Sequence, residues 1–165
     1  MLSLPILRNL SAAYVATRRP DCIVSDFPEY ATEVAGLSAQ QTAQIRDLAG
    51  QVFASLSRHP AARAVVVLGH ADVALRVNPP QRAAFEMDVS VKRAQSGKKL
   101  FEAELVRKAG ARSVLYMLRL EAFGMGSAHR LVLNPQNEAD MRRNRRVEFF
   151  VLTQHVSGPS CDCSD

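Results

Sequence analysis

The sequence predicts a two-layer α/β (α+β) sandwich, and three stretches predict it. "AVVVLG", Ala64 to Gly69, is a continuous apolar run rich in β-branched residues, as expected of an interior strand covered on both faces. Upstream of it, Ile45, Leu48, Ala49, Val52, Phe53 and Leu56 recur at three- and four-residue steps, an apolar helical stripe that must cover a sheet. "RRVEFFVLT", Arg145 to Thr153, places Val147, Phe149 and Val151 on one face of a closing strand.

The elements follow in order. "CIVSDF", Cys22 to Phe27, reads as a short first strand bounded by polar residues. Ser38 and Gln41 have the spacing of a capping box, in which each side chain satisfies a backbone N–H left unpaired by the first helical turn, so the striped helix starts there. "HPAARA" turns the chain into the buried strand. Asp72 to Phe85 contains Asn78, Pro79 and Pro80 and reads as a long loop, because proline removes a backbone donor. A second helix is expected from about Asp88 to Ala109, with Ala94, Leu100, Phe101, Leu105, Val106 and Ala109 in rough helical period and Gly110 as its left-handed cap. "SVLYMLRLEAF", Ser113 to Phe123, reads as a strand closed by Gly124-Met125-Gly126, and a short helix near Asn137 to Arg143 precedes the last strand. The order is β-α-β-α-β-(α)-β, without an internal repeat.

A chain of 165 residues, 47% of them hydrophobic, suffices for one core and not two. We expect one domain over 21–153, an N-terminal segment 1–20 and a disordered C-terminal tail 154–165. No apolar run approaches the roughly 18 residues of a membrane span. The net charge of +5 favours acidic partners without choosing among them, and Arg142, Arg143, Arg145 and Arg146 concentrate it late in the chain. The segment "MLSLPILRNLSAAYVATRRP" is not a good signal peptide, because Pro5, Arg8 and Asn9 interrupt it and its positive charge follows the apolar part. Cys22, Cys161 and Cys163 leave an odd thiol in any pairing, and two thiolates do not close a tetrahedral metal site. No metal or cofactor is expected.

Further pieces line up in sequence: Gly69-His70-Ala71-Asp72 after the buried strand, Val89-Ser90-Val91-Lys92-Arg93-Ala94 in the second helix, and Asn144-Arg145-Arg146-Val147-Glu148 entering the last strand. Together they resemble the OmpA-like peptidoglycan-binding domain, the module shared by outer membrane protein A, peptidoglycan-associated lipoprotein and flagellar stator proteins. Its pattern is GHTD, then N-x-x-L-S-x-x-R-A, then a Gly-x-Gly loop, then N-R-R-V-E. The resemblance runs from about Leu37 to Leu152. It departs at Ala71, where the family has Thr, at Glu86 for Asn and at Val89 for Leu. The stretch between Asp72 and Arg93 is also longer than the family's.

The resemblance implies a mixed sheet with helices packed on one face. It also implies non-catalytic binding of peptidoglycan through the diaminopimelate residue of the stem peptide, anchoring the chain to the wall of a Gram-negative envelope. Asp72 and Arg93 are the residues it carries over to that ligand, with His70, Ala71, Glu86, Asn144, Arg145 and Arg146 as secondary candidates. The chemistry is self-consistent. The free end of diaminopimelate is a zwitterion, for which a carboxylate takes the ammonium and a planar guanidinium takes the carboxylate. Arg145 and Arg146 alternate, so one is expected toward the site and one toward solvent.

The expected location is the periplasm or the outer membrane, with the cytoplasm left open by the missing signal. A second reading, from another functional class, makes the same fold a protein-interaction or assembly domain with an envelope protein as partner and no peptidoglycan. Nucleic acid is not an expected partner, since the arginine cluster has no aromatic platform among it. Nor is an enzyme expected, because Ser90 and His70 have no recognisable triad partner.

Overall fold

A computed structural model describes residues 16, 18–32, 37–58 and 61–153. The expected tail, with Cys161 and Cys163, and most of segment 1–20 lie outside the described residues. Strands β1 (Cys22–Val24), β2 (Ala62–Gly69), β3 (Arg119–Gly124) and β4 (Val147–Thr153) form a mixed sheet in the order β1-β4-β2-β3. β2 pairs parallel with β3 and antiparallel with β4, which pairs antiparallel with β1. β2 is thus an interior strand, as its unbroken apolar run requires. Helices α1 (Ala39–Ser55) and α2 (Pro79–Ala109) cover one face, and α3 (Glu138–Asn144) leads into β4.

The capping box forms as read: the Ser38 side chain accepts from the Gln41 N–H, and the Gln41 side chain accepts from the Ser38 N–H. From there Ile45, Leu48, Ala49 and Val52 reach the core, while Phe53 lies exposed at the margin. They meet Val65 and Val67 of β2, Val147 and Phe149 of β4, and Ala94, Phe101 and Leu105 of α2. Each large apolar side chain buried there contributes about 1.5–3 kcal/mol. The opposite face of the sheet holds Ala64, Val66, Leu68, Phe150 and Leu152, with Ala16, Phe123 and Met125 packed on it.

Two expectations are corrected. The stretch from Asn78 to Phe85 is not loop: α2 begins at Pro79, Asn78 is its N-cap, and the prolines occupy its first turn. The N–H groups of that turn have no partner within a helix, so proline removes nothing there, and its fixed φ suits the start. The expected strand from Ser113 is also too long, because Arg112–Met117 form a 3₁₀ turn and β3 begins at Arg119. Tyr116, 93% exposed, shows that the apolar residues of this stretch do not all belong to a buried strand. Gly110 caps α2 in the left-handed conformation, φ 72°, as expected.

What positions the site is the approach of α2 to the ends of β2 and β3. A Cβ on Gly69 would stand 2.0 Å from the Ser90 carbonyl oxygen, and one on Gly124 would stand 2.7 Å from the Val91 nitrogen. The middle of α2 therefore lies directly on two strand ends.

Candidate functional site

The loop leaving β2 is stitched to its neighbours through the backbone. His70 N–H donates to the Arg146 carbonyl at 2.9 Å, Ala71 N–H to Gly126 at 2.8 Å, and Met125 N–H to Gly69 at 2.9 Å. The Ser90 hydroxyl donates to the Met87 carbonyl and accepts from Gly126 N–H, clipping the Gly124–Gly126 turn to α2. This places Asp72 at the rim of a small cleft lined by Tyr30, Ala71, Asp72, Phe85, Arg93 and Arg145, among others.

Each expected residue then has a place. Asn144, fully buried, donates from Nδ2 to Asp72 Oδ1 at 2.9 Å and exchanges two further hydrogen bonds with the Val132 backbone, so it orients the carboxylate. Arg93, 1% exposed, reaches the cleft from α2 beneath Asp72. Its Nε donates to the Ala31 carbonyl at 2.8 Å, Nη1 to His70 at 2.9 Å and Nη2 to Pro28 at 3.4 Å, and its guanidinium lies over the Phe27 ring. Burial, and then the charge of Arg145, bring the Arg93 pKa down to about 10, with Asp72 opposing. It remains a cation at neutral pH. The structure thus gives Arg93 a second task, holding the segment from Phe27 to Ala31 against the β2 loop. That segment includes Tyr30 at φ 60°, a left-handed backbone that a tyrosine rarely adopts.

Glu86 is buried and committed: Oε1 accepts from Ala74 N–H at 2.7 Å and Oε2 from the Ser127 hydroxyl. It braces two loops from below. Ala71 is buried in the wall. Of the alternation expected of Arg145 and Arg146, one does face the cleft, but neither faces solvent, since both are buried, at 4% and 3% exposure. Both precede β4, so strand periodicity does not govern them. Arg145 lines the cleft and pairs with Glu138, whereas Arg146 turns to Glu148 at 2.7 Å and to the His129 carbonyl at 2.9 Å. Tyr30 and Phe85, which the sequence did not single out, meet edge to face at 5.2 Å and form an aromatic wall. Only a tertiary contact joins two aromatics 55 positions apart in the chain. Phe85 stands on the added turns of α2.

His70, buried, completes a polar cluster beneath the site. Its Nε2 lies 3.0 Å from Glu148 Oε2, and its Nδ1 has no partner among the described residues. The neutral tautomer with hydrogen on Nε2 fits this geometry, because Nδ1–H would meet no acceptor. Burial lowers the His70 pKa, with the Glu148 hydrogen bond opposing. For Glu148, burial pulls upward, but the hydrogen bond and charge of His70, then Arg146, hold the carboxyl below its ordinary value. Both depressed values have one sign: the unfolded chain binds protons first, so stability falls as pH falls. Wild type should therefore lose stability in urea titrations as pH drops below the ordinary histidine value of 6.5. His70→Gln should remove the part of that loss nearest pH 6; an unchanged slope would show that His70 does not cause it.

Among the described residues, no three His, Cys, Asp or Glu side chains are placed to hold a metal ion. No helix among them is long and apolar enough to cross a membrane.

Neither a family model nor a curated protein matches the sequence. Solved structures do match the fold. The peptidoglycan-associated lipoprotein of Burkholderia pseudomallei is 19% identical, with TM-score 0.55, over 80% of this chain and 89% of that one. The C-terminal domain of Helicobacter pylori MotB is 16% identical, with TM-score 0.55, over 84% and 88%. The cell wall anchor of the T6SS from Pseudomonas aeruginosa is 18% identical, with TM-score 0.52, over 80% of each chain. The mixed sheet with α1 and α2 on one face and the strand-end loops above it is, accordingly, the OmpA-like fold that these proteins share.

Proposed function

We propose that this chain binds peptidoglycan without catalysis, through the diaminopimelate residue of the stem peptide, and so anchors itself or a partner to the cell wall in the periplasm. The observation that carries the reading is the meeting of one oriented carboxylate, Asp72, with two guanidinium groups, Arg93 and Arg145, in a single cleft. Opposite charges held a short distance apart match the ammonium and carboxylate at the free end of diaminopimelate. The likeness of the fold to a peptidoglycan-associated lipoprotein and a cell wall anchor supports it.

Asp72 takes the ammonium, and Arg93 supplies positive charge beneath the carboxylate. A charge-assisted hydrogen bond of this kind is worth about 1.5–3 kcal/mol, so Asp72→Ala should weaken binding roughly tenfold or more. The measurement is calorimetry with a diaminopimelate-containing stem peptide and its lysine counterpart, beside cosedimentation with purified sacculi. Wild type should bind the first peptide and bind the second poorly. Equal heats from wild type and Asp72→Ala would remove Asp72 from the site.

A second reading rests on Leu75, Leu131 and Leu133, which are 53–66% exposed on the loops after β2 and β3. Apolar loop residues of this kind suit an envelope protein as partner. A chain that neither cosediments with sacculi nor binds either peptide would select this assembly role.

A further inference from the structure

We propose that the end of the domain opposite the cleft docks on an acidic phospholipid surface, whatever ligand the cleft takes. The directions of the elements define that end. Arg46 of α1 pairs with Glu104 of α2, and one turn further along both helices Gly50 lies beside Lys108, so α1 and α2 run parallel and finish together. β2 and β3 are parallel as well, with Ala64 beside Arg119, and short connections from the two helix ends place their first residues at the same end. The cleft lies past the other end of β2, beyond Gly69, about 20 Å away at the rise of a strand.

This end gathers Arg58, Arg63, Arg107, Lys108, Arg112 and Arg119, all exposed. No Asp or Glu occurs from Leu48 to Ala71 or from Leu105 to Leu120, the two stretches that build it. Glu104 pairs with Arg107 and Glu121 with Arg119, whereas Arg58, Arg63, Lys108 and Arg112 form no ion pair among the described residues. Attraction to the helix dipole accounts for Arg107 and Lys108, in the last turn of α2. It does not account for Arg63, Arg112 and Arg119, which stand outside both α-helices. Among these cations the 3₁₀ turn buries Val114 and leaves Tyr116 and Met117 exposed. A tyrosine has an apolar ring and a polar tip, the combination that suits a bilayer's headgroup layer. Long cationic side chains from several elements match a diffuse negative surface, which requires no shape complementarity, better than they match one folded partner. A bilayer bound here leaves Asp72 and Arg93 facing away from it, open to a ligand on the far side.

The test is cosedimentation of the full chain with vesicles of phosphatidylcholine alone and of an equimolar mixture with phosphatidylglycerol. Wild type should partition onto the acidic vesicles about tenfold better or more, and added salt should remove most of that preference. Lys108→Gln with Arg112→Gln should lower partition onto acidic vesicles about twentyfold, roughly fivefold for each cation removed. Tyr116→Ala should lower it about threefold, through the lost ring. All three positions are exposed, so the variants should melt as wild type does. A wild type that binds both vesicles equally, or neither, overturns the proposal. So does wild-type partition in the Lys108/Arg112 variant, which would place any lipid contact elsewhere on the chain. Wild-type partition in Tyr116→Ala would overturn it in favour of a soluble acidic partner.

Discussion

Gly69→Ala should destabilise the domain by about 3 kcal/mol or more, the upper end of what overpacking costs, because the added methyl collides with main chain. Its Cβ would lie 2.0 Å from the Ser90 carbonyl and 2.7 Å from the Ala94 nitrogen. Neither atom belongs to a flexible side chain, so relief requires α2 to lift from β2. That movement would also carry Arg93 away from the cleft. A chain of this size should lose on the order of 10 °C in melting temperature. Gly50→Ala is the control: it sits inside α1, and its methyl would meet nothing nearer than Lys108 at 3.9 Å. Helix propensity alone should make it neutral or stabilising by about 0.5–1 kcal/mol. Calorimetric melting of both variants decides the matter. Equal melting temperatures for Gly69→Ala and wild type would mean that α2 does not depend on this close approach.

Arg93→Met should cost about 1–3 kcal/mol, the range for leaving a buried polar group without its hydrogen-bond partner. Methionine fills much of the volume but leaves the carbonyls of Pro28, Ala31 and His70 without the donors they have now. The loss is costly at His70, whose hydrogen bond is buried, and smaller at Ala31 and Pro28, which are partly or fully exposed. Lysine should rescue only in part: it retains charge but lacks a planar fork able to reach divergent carbonyls. Urea unfolding measures the cost, and hydrogen exchange at residues 27–31 should report loosening of that segment before the sheet is affected. Wild-type stability in Arg93→Met would show that these carbonyl bonds contribute nothing. Asp72→Ala should make the contrast with a smaller loss of stability, since Asp72 is only half-buried at the cleft rim.

The capping box at Ser38, the stripe from Ile45 to Val52 and the β2 run are local patterns, and each produced its element because short-range hydrogen bonding and periodic burial act within a few residues. The ordered motifs also placed Asp72, Arg93 and Arg145 close enough in the fold to share one cleft. Where reading along the chain misplaced a boundary, the competing physics was local as well. Pro79 and Pro80 start a helix as readily as they break one, and the deciding fact is that the first turn has no internal donors to lose.

By itself, the sequence determined the two-layer architecture and the order of most of its elements, since these depend on periodicity, and its ordered motifs named the charged residues that the fold gathers into one cleft. Only the tertiary structure decided which of those residues are free to act. The main-chain carbonyls of Pro28, Ala31 and His70 that occupy Arg93, the Glu138 side chain that anchors Arg145, and the aromatic wall of Tyr30 and Phe85 come from segments distant in the chain or from backbone atoms. Backbone atoms are the same at every position, so no residue letter announces them. Which donor is satisfied is settled when the loops close around it.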